Sequence, residues 1–245
     1  MLQSHEASSQ VPSDAGASRL KPLDAYAGSL GQKVYQTLRE AILSLAYRPG
    51  EILRKPEICE ALGVSRSPVA DAVARLAAEG LVDVVPQAGT FVARFSMEEI
   101  REGAFLREAI EIAAIERLAE TITEEQLTQL RRNITVQVAL VADGDVPGFY
   151  QMDAAMHELL LSFTGFRKLA QVSETAWLHV NRARQLILPV EGRIGATVEE
   201  HRAILAALEA HDPEAARVAV RLHLRQLISY LEPLERDRPE LFAPN

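Results

Sequence analysis

Asp153 and His157 stand four residues apart in the segment DAAMHELL, a spacing that puts both side chains on one face of a helix. Phe149, Met156 and Leu160 continue that face, so it points inward. His201 begins an apolar stripe with Ile204, Leu205 and Leu208, and His223 lies in the stripe of Ala216, Val220, Leu227 and Tyr230. One carboxylate and three imidazoles on three helices therefore aim at one core. Taken singly, each is more often a hydrogen-bonded core residue than a ligand. Taken together they are costly to bury without partners, whereas one divalent ion satisfies all four. Imidazole plus carboxylate ligation suits zinc, nickel or another transition metal; magnesium and calcium prefer oxygen. His179 can face the same cavity, and His211, in the loop before Asp212, is expected in solvent.

Helices must position these groups, and beyond a short joint at Arg94 to Met97 the chain carries only helical patterns. The expected spans are Glu98 to Ala119, Thr123 to Val141, Val146 to Phe163, Phe166 to Leu188, Thr197 to Glu209 and Pro213 to Leu234. Thr197 with Glu200 reads as a capping box, Asp212 before Pro213 as an N-cap followed by proline in the first turn, and Gly144 and Gly165 as loop punctuation. Six such helices in succession imply an all-α bundle. Arg107 lies on the first of them beside Ile110 and Ala114, where pairing with Glu108 or Glu111 on an exposed face is a sufficient explanation for it.

Ahead of the bundle, Leu62 to Val82 reads as a turn at Gly63, a helix, then the start of a strand. Ser65 or Ser67 can cap this helix, with Pro68 in its first turn, and Val69, Val73, Leu76 and Gly80 form its apolar face. Arg66, Ala70, Asp71 and Arg75 lie off that face. If the segment is the second helix of a helix-turn-helix, its N-terminal Ser65, Arg66 and Ser67 are nearest the base edges of DNA; a surface helix hairpin fits the periodicity equally. A first amphipathic helix carries Val34, Leu38, Ile42 and Leu45 and ends before Arg48-Pro49-Gly50, and a second starts at Pro56 and Glu57. Leu81 to Val85 and Thr90 to Arg94 read as strands joined through Pro86-Gln87-Ala88-Gly89. That hairpin puts Gln87 and Ala88 at its tip.

With 245 residues, 48% of them hydrophobic, the chain can build two modest domains. No apolar run is long enough to span a bilayer, and the N-terminus lacks a basic stretch followed by an apolar one, so a cytoplasmic protein is expected. The single Cys59 excludes an internal disulfide framework, suits a reducing compartment and is expected to be buried among Ile58 and Leu62. The net charge of −8 is unevenly spread: residues 28–95 hold 8 Lys and Arg against 7 Asp and Glu, a balance of +1. That is a weak footprint for phosphate binding, and the acidity lies elsewhere. Residues 1–27, rich in Ser, Ala, Gln and Pro, are expected to be a disordered leader.

From Tyr35 to Val92 the sequence resembles the winged helix-turn-helix of the GntR family of bacterial transcription regulators, through Arg48-Pro49-Gly50, Leu62-Gly63-Val64-Ser65-Arg66, Glu79-Gly80-Leu81 and Gly89-Thr90-Phe91-Val92. Pro56 and Ala70 stand where members often carry DNA-contacting arginines, leaving Arg66, with Arg54 and Lys55 close by for phosphate, and Gln87 on the wing. The segments DAAMHELL, EEHRAILAALEAHDPEAA and ARVAVRLHLRQL look like the effector-binding FCD domain of the FadR subgroup, which often holds a metal by one Asp and three His; the matching positions are Asp153, His157, His201 and His223. Met156 departs from the Phe that commonly precedes the second ligand. Arg107 resembles the family arginine that offers a fork to an effector carboxylate. After the leader over 1–27, the resemblance implies a winged helix-turn-helix over 28–95 and an all-helical effector and dimerisation domain over 96–236, which leaves a tail over 237–245. It implies a homodimer on a palindromic operator in double-stranded DNA, released by a small carboxylate at a metal site. Two rivals remain open from the residues alone: a metal-dependent hydrolase, and a regulator that senses the metal ion itself.

Overall fold

The computed structural model describes residues 19–244, apart from the side chains of 170, 171 and 173–175. The described residues are mainly helical, a winged helix-turn-helix followed by a helical bundle. Helix α1 (Leu30–Leu43) starts at a capping box in which Ser29 and Gln32 satisfy each other's backbone N–H groups, and it buries Val34, Leu38, Ala41 and Ile42. Helix α2 (Lys55–Leu62) stops at Gly63, whose φ of +64° is the left-handed conformation glycine adopts without penalty. Helix α3 (Arg66–Ala78), with Ser65 as N-cap, packs Val69, Val73 and Leu76 onto α1. Strands β1 (Val82–Val85) and β2 (Gly89–Val92) pair antiparallel, Val82 opposite Val92, and Ile52 bridges to Phe91 on the other side.

The leader expected over 1–27 needs correction where it is described. Residues 1–18 lie outside the described residues, but from Arg19 onward the chain is packed. Leu20 is buried in the core of the winged unit, Lys21 accepts from Thr37 Oγ1 at 2.9 Å, and Tyr26 donates to Glu40 at 2.5 Å. Its polar composition concealed an apolar anchor and several long-range hydrogen bonds, that of Arg19 to Glu51 among them.

The bundle comprises α4 (Met97–Thr121), α5 (Glu124–Asp143), α6 (Val146–Phe163), α7 (Arg167–Ala176), α8 (Leu178–Ile187), α9 (Arg193–Glu209) and α10 (Pro213–Asp237). Two expectations fail here. The span Phe166 to Leu188 is two helices, broken at Trp177 (φ −103°, ψ 7°) without glycine or proline to mark the break. The capping box at Thr197 does not form, because α9 begins a turn earlier at Arg193. Thr197 is buried inside the helix and donates to the Arg193 carbonyl, while Glu200 turns to Arg193 and His223. The Asp212 cap is present, accepting from Ala215 N at 3.0 Å. Gly103 of α4 faces the Ala176 carbonyl and Val180, each 3.0 Å from where a Cβ would sit, so the start of α8 can lie tightly on α4.

Between the winged unit and the bundle, Ala93 and Phe95 are clamped from two sides. Arg182 of α8, almost wholly buried, donates to the Ala93 carbonyl at 2.7 Å and lies 4.5 Å over the Phe95 ring. The segment expected as a free tail returns to the same place. Phe95 N donates to Leu241 O at 3.0 Å, Ala243 N donates to Phe95 O at 2.8 Å, and Phe242 is buried beside Phe95.

Candidate metal centre

Asp153 and His157 from α6, His201 from α9 and His223 from α10 converge in the bundle, all four buried, with one donor atom from each lying within 4.8 Å of every other. What surrounds them fixes the imidazole tautomers. His157 Nδ1 lies 2.7 Å from Glu111 Oε2, His201 Nδ1 2.7 Å from Gln137 Oε1, and His223 Nδ1 2.7 Å from Glu200 Oε2. Each partner is an acceptor, so each Nδ1 carries the hydrogen. The Gln137 amide is oriented by its own NH2, which donates to Asn133 Oδ1 at 2.6 Å, and Asn133 in turn donates to Met152 O at 3.0 Å. The Nε2 lone pairs are thereby left facing inward. His223 Nε2 and His157 Nε2 sit 3.2 Å apart, and His201 Nε2 is 3.4 Å from Asp153 Oδ1. His201 Nε2 and Asp153 Oδ1 make no hydrogen bond although they are buried, and Asp153 Oδ2 has the Arg184 guanidinium against it. Lone pairs pointed at one another in a dry interior repel unless a cation lies among them. A donor set of three neutral imidazoles and a carboxylate fits a divalent transition metal, and outer acceptors on the Nδ1–H groups are the usual way such ligands are held.

Burial drives all three imidazoles towards the neutral form. It pushes the His223 pKa down to about 4 against the pull of Glu200, lowers that of His157 despite Glu111, and takes that of His201 well below the ordinary value, with its neighbouring histidines adding to the effect. Burial alone would raise the Glu111 carboxyl, but His157 and Arg107 beside it hold it below the usual carboxylate range.

Cations form the next layer. Arg107 Nε donates to Glu111 Oε1 at 2.6 Å, and Arg193 makes a two-pronged pair with Glu200 at 2.6 and 2.9 Å. The Arg184 guanidinium lies against the Asp153 carboxylate. Arg107 is 4% exposed, which rules out the exposed helix pair considered for it while keeping Glu111 as its partner. A cavity of about 20 Å³ among Asp153, His223, Arg107, Arg184 and Arg193 has room for one water-sized species. A larger cleft of about 630 Å³ reaches His157 from the other side and is walled in part by Arg107, Tyr150, Trp177 and Arg184.

Sequence reasoning missed Glu111, Gln137, Glu200, Arg184 and Arg193. His179 does not face the cavity; it is half-buried at the joint, its ring against Gly80 and 3.7 Å from Glu99. His211 is exposed, as expected, with Nδ1 2.9 Å from Ala119 O. Cys59 is half-buried, its thiol 3.7 Å from Ser65 O.

In the winged unit, Ser65, Arg66 and Ser67 are exposed at the start of α3, Arg54 is exposed beside the half-buried Lys55 at the start of α2, and Gln87 is exposed at the wing tip with φ +62°.

Comparison with known proteins places both halves. Residues 30–92 match the family described as bacterial regulatory proteins, gntR family, and residues 102–226 match the FCD domain. The chain is 34% identical over 210 residues to an HTH-type transcriptional regulator in an unstable DNA locus of Streptomyces ambofaciens, covering 86% of this chain and 88% of that one. It is 29% identical over 214 residues to the HTH-type transcriptional repressor RspR of Escherichia coli, covering 87% and 94%. Among solved structures, a transcriptional regulator GntR from Rhodococcus sp. RHA1 superposes with a TM-score of 0.72 at 25% identity, covering 82% of this chain and 99% of that one. E. coli McbR/YncC shares the fold, with a TM-score of 0.72 at 21% identity over 85% and 99% of the two chains.

Proposed function

The chain belongs to the GntR family of bacterial regulatory proteins and carries an FCD domain, and from that premise we propose a homodimeric repressor released from a palindromic operator by a small organic carboxylate. It is a DNA-binding transcription regulator and not an enzyme: the relatives and structural neighbours named above are regulators, and the hydrolase alternative is set aside.

The proposed metal ligands are Asp153, His157, His201 and His223, and the observation that carries this is the convergence of one buried donor atom from each, with His201 Nε2 left without a hydrogen bond. When bound, a zinc or nickel ion supplies an electrophilic anchor for a carboxylate oxygen. The chain's own residues do the rest. Glu111, Gln137 and Glu200 hold the imidazoles in the ligating tautomer, and the pairing of Arg107 Nε with Glu111 fixes a guanidinium whose remaining N–H donors can meet the effector. The cleft beside His157 is the proposed effector site, and its volume of about 630 Å³ is within the usual range for small ligands. Among the described residues no helix is long and apolar enough to cross a membrane, and we place the protein's action in the cytoplasm.

At the DNA end, Ser65, Arg66 and Ser67 are the proposed contacts to base edges, Arg54 and Lys55 those to phosphates, and Gln87 that to the groove beside the wing. A two-fold dimer would set two such heads on the halves of a palindrome. Titration of the purified protein with DNA from beside its own gene tests this. The expected result is salt-sensitive, sequence-selective binding that weakens about tenfold to a hundredfold in Arg66→Ala, whereas Lys55→Ala weakens binding to all sequences alike and reduces the salt slope by about 1. Binding without selectivity, or unchanged in Arg66→Ala, overturns the assignment.

A further inference from the structure

The cleft that reaches His157 is closed on one side by the DNA-binding head itself. Arg39 and Leu43 of α1 form part of its wall, together with Leu178 of α8. Arg39 is not idle there: its Nε donates to Glu79 Oε2 at 3.2 Å, and Glu79 is the C-cap residue of α3. Glu79 also accepts from the Tyr35 hydroxyl, and the Tyr35 ring lies 3.7 Å beneath the guanidinium of Arg75, in the last turn of α3. A group in the cleft is thus two contacts away from the end of the helix assigned to base reading.

Charge in the cleft is one-sided. Arg39, Arg107 and Arg184 line it against a single carboxylate, Glu158, and the apolar wall between them includes Leu43, Leu161 and Trp177. The bundle side offers His157, one of the candidate metal ligands, and Arg107; the head side offers Arg39. A monoacid anchored at the bundle side leaves Arg39 with Glu79, whereas a second acidic group on an apolar spacer would compete with Glu79 for the same guanidinium. The Arg39 and Glu79 side chains are 23% and 29% exposed, so a competing carboxylate is neither fully screened nor barred from reaching the pair. A ligand shifts a conformational equilibrium only by interacting unequally with its two states, and exchange of Arg39 between Glu79 and an effector is such a difference.

We propose that Arg39 is part of the effector site, that the effector is a dianion with two carboxylates, and that its head-side carboxylate draws Arg39 away from the cap of the reading helix. This rests on the carboxylate reading above and deepens it.

The test uses full-length, zinc-loaded protein and matched acids of equal chain length: succinate and butyrate, glutarate and valerate, adipate and hexanoate. Trp177, the sole tryptophan, lines the cleft, so its fluorescence reports binding without a label, and calorimetry checks the affinities. At least one diacid is expected to bind about tenfold more tightly than its monoacid partner, the scale of one added charge-assisted pair. Arg39→Gln should bring that diacid down to the monoacid's affinity, Arg39→Lys should keep part of the preference, and Glu79→Gln, which removes the competitor, should tighten diacid binding. A purely structural pair would move Arg39→Gln and Glu79→Gln in the same direction. A diacid preference that survives in Arg39→Gln overturns the proposal, as does a common shift in both variants. Monoacid binding that is lost in His201→Ala, with no diacid preference in the parent, overturns this inference and leaves the carboxylate reading standing; no binding of either class by the parent overturns both.

Discussion

A His201→Ala variant is expected to purify without transition metal, where the parent chain carries close to one equivalent by elemental analysis when prepared without chelator or affinity-tag metal. The choice of residue follows from the packing. Asp153 is as central, but the Arg184 guanidinium lies against its carboxylate, and Asp153→Ala would strand a buried cation at a cost of about 3–5 kcal/mol. Loss of metal and loss of fold would then be confounded. His201→Ala strands only the Gln137 carbonyl oxygen, a neutral acceptor, while removing one of four convergent donors. Metal bound to the native state alone stabilises it by about 4 kcal/mol at a thousandfold excess over the dissociation constant. Chelation should therefore lower the melting temperature of the parent and leave that of His201→Ala where it was. Gln137→Met provides the graded comparison: it keeps the length of the side chain and strands no charge but removes the acceptor at His201 Nδ1, and outer-layer changes of this kind weaken metal binding about tenfold to a hundredfold. Full metal content in His201→Ala, or a parent that neither carries metal nor takes up added zinc or nickel, would return the cluster to the status of core side chains.

The four convergent residues could be read from the chain because helical periodicity reports which side chains share an inward face, and a carboxylate or imidazole on such a face needs a reason. Their supports could not be read in the same way. Arg107 and Glu111, four residues apart, look like any surface helix pair; their burial comes from α6 and α10 packing over them, which is long-range information. Glu200 precedes His201 directly, so it falls off that histidine's stripe and looks solvated, yet it turns to Arg193 on its own helix and to His223 on the next. A faint signal existed for Gln137, which follows Asn133 by four residues on the stripe of Leu130 and Ile134. The turn at Gly63 and the apolar face of α3 were legible because both are local, but they fit a surface hairpin equally well, and only the resemblance over Tyr35 to Val92 marked a winged helix-turn-helix. The break at Trp177 was not. Nothing in the local sequence stops a helix at that point, and the turn serves to place Trp177 and Arg184 on the cleft wall.

Phe242→Ala is expected to lower stability by about 3 kcal/mol in chemical denaturation, the low end for a buried phenylalanine reduced to alanine. The segment that holds Phe242 has the composition of a tail, but its ring is 4% exposed and packs 5.9 Å from that of Phe95 in a core shared with Met97, Ile100 and Leu231. Phe95 leads from β2 into α4, and its backbone N–H and carbonyl are both taken up by the returning chain, with Arg94 Nε donating to Glu240 O at 3.1 Å alongside. The tail thus lies parallel to the joint through a single bridge between Phe95 and Phe242, and the aromatic pair keeps it there. Without the ring the two backbone bonds face water competition at the edge of the core, so the joint should open locally before the molecule unfolds. Amide exchange at Phe95 and Ala243 should speed up while amides in α1 and α10 stay protected. A stability change below about 0.5 kcal/mol, within the range of ordinary surface substitutions, would show that the tail does not hold the joint. A loss of the expected size would tie the far end of the chain to the placement of the DNA-binding head, through contacts that no local pattern in the sequence announces.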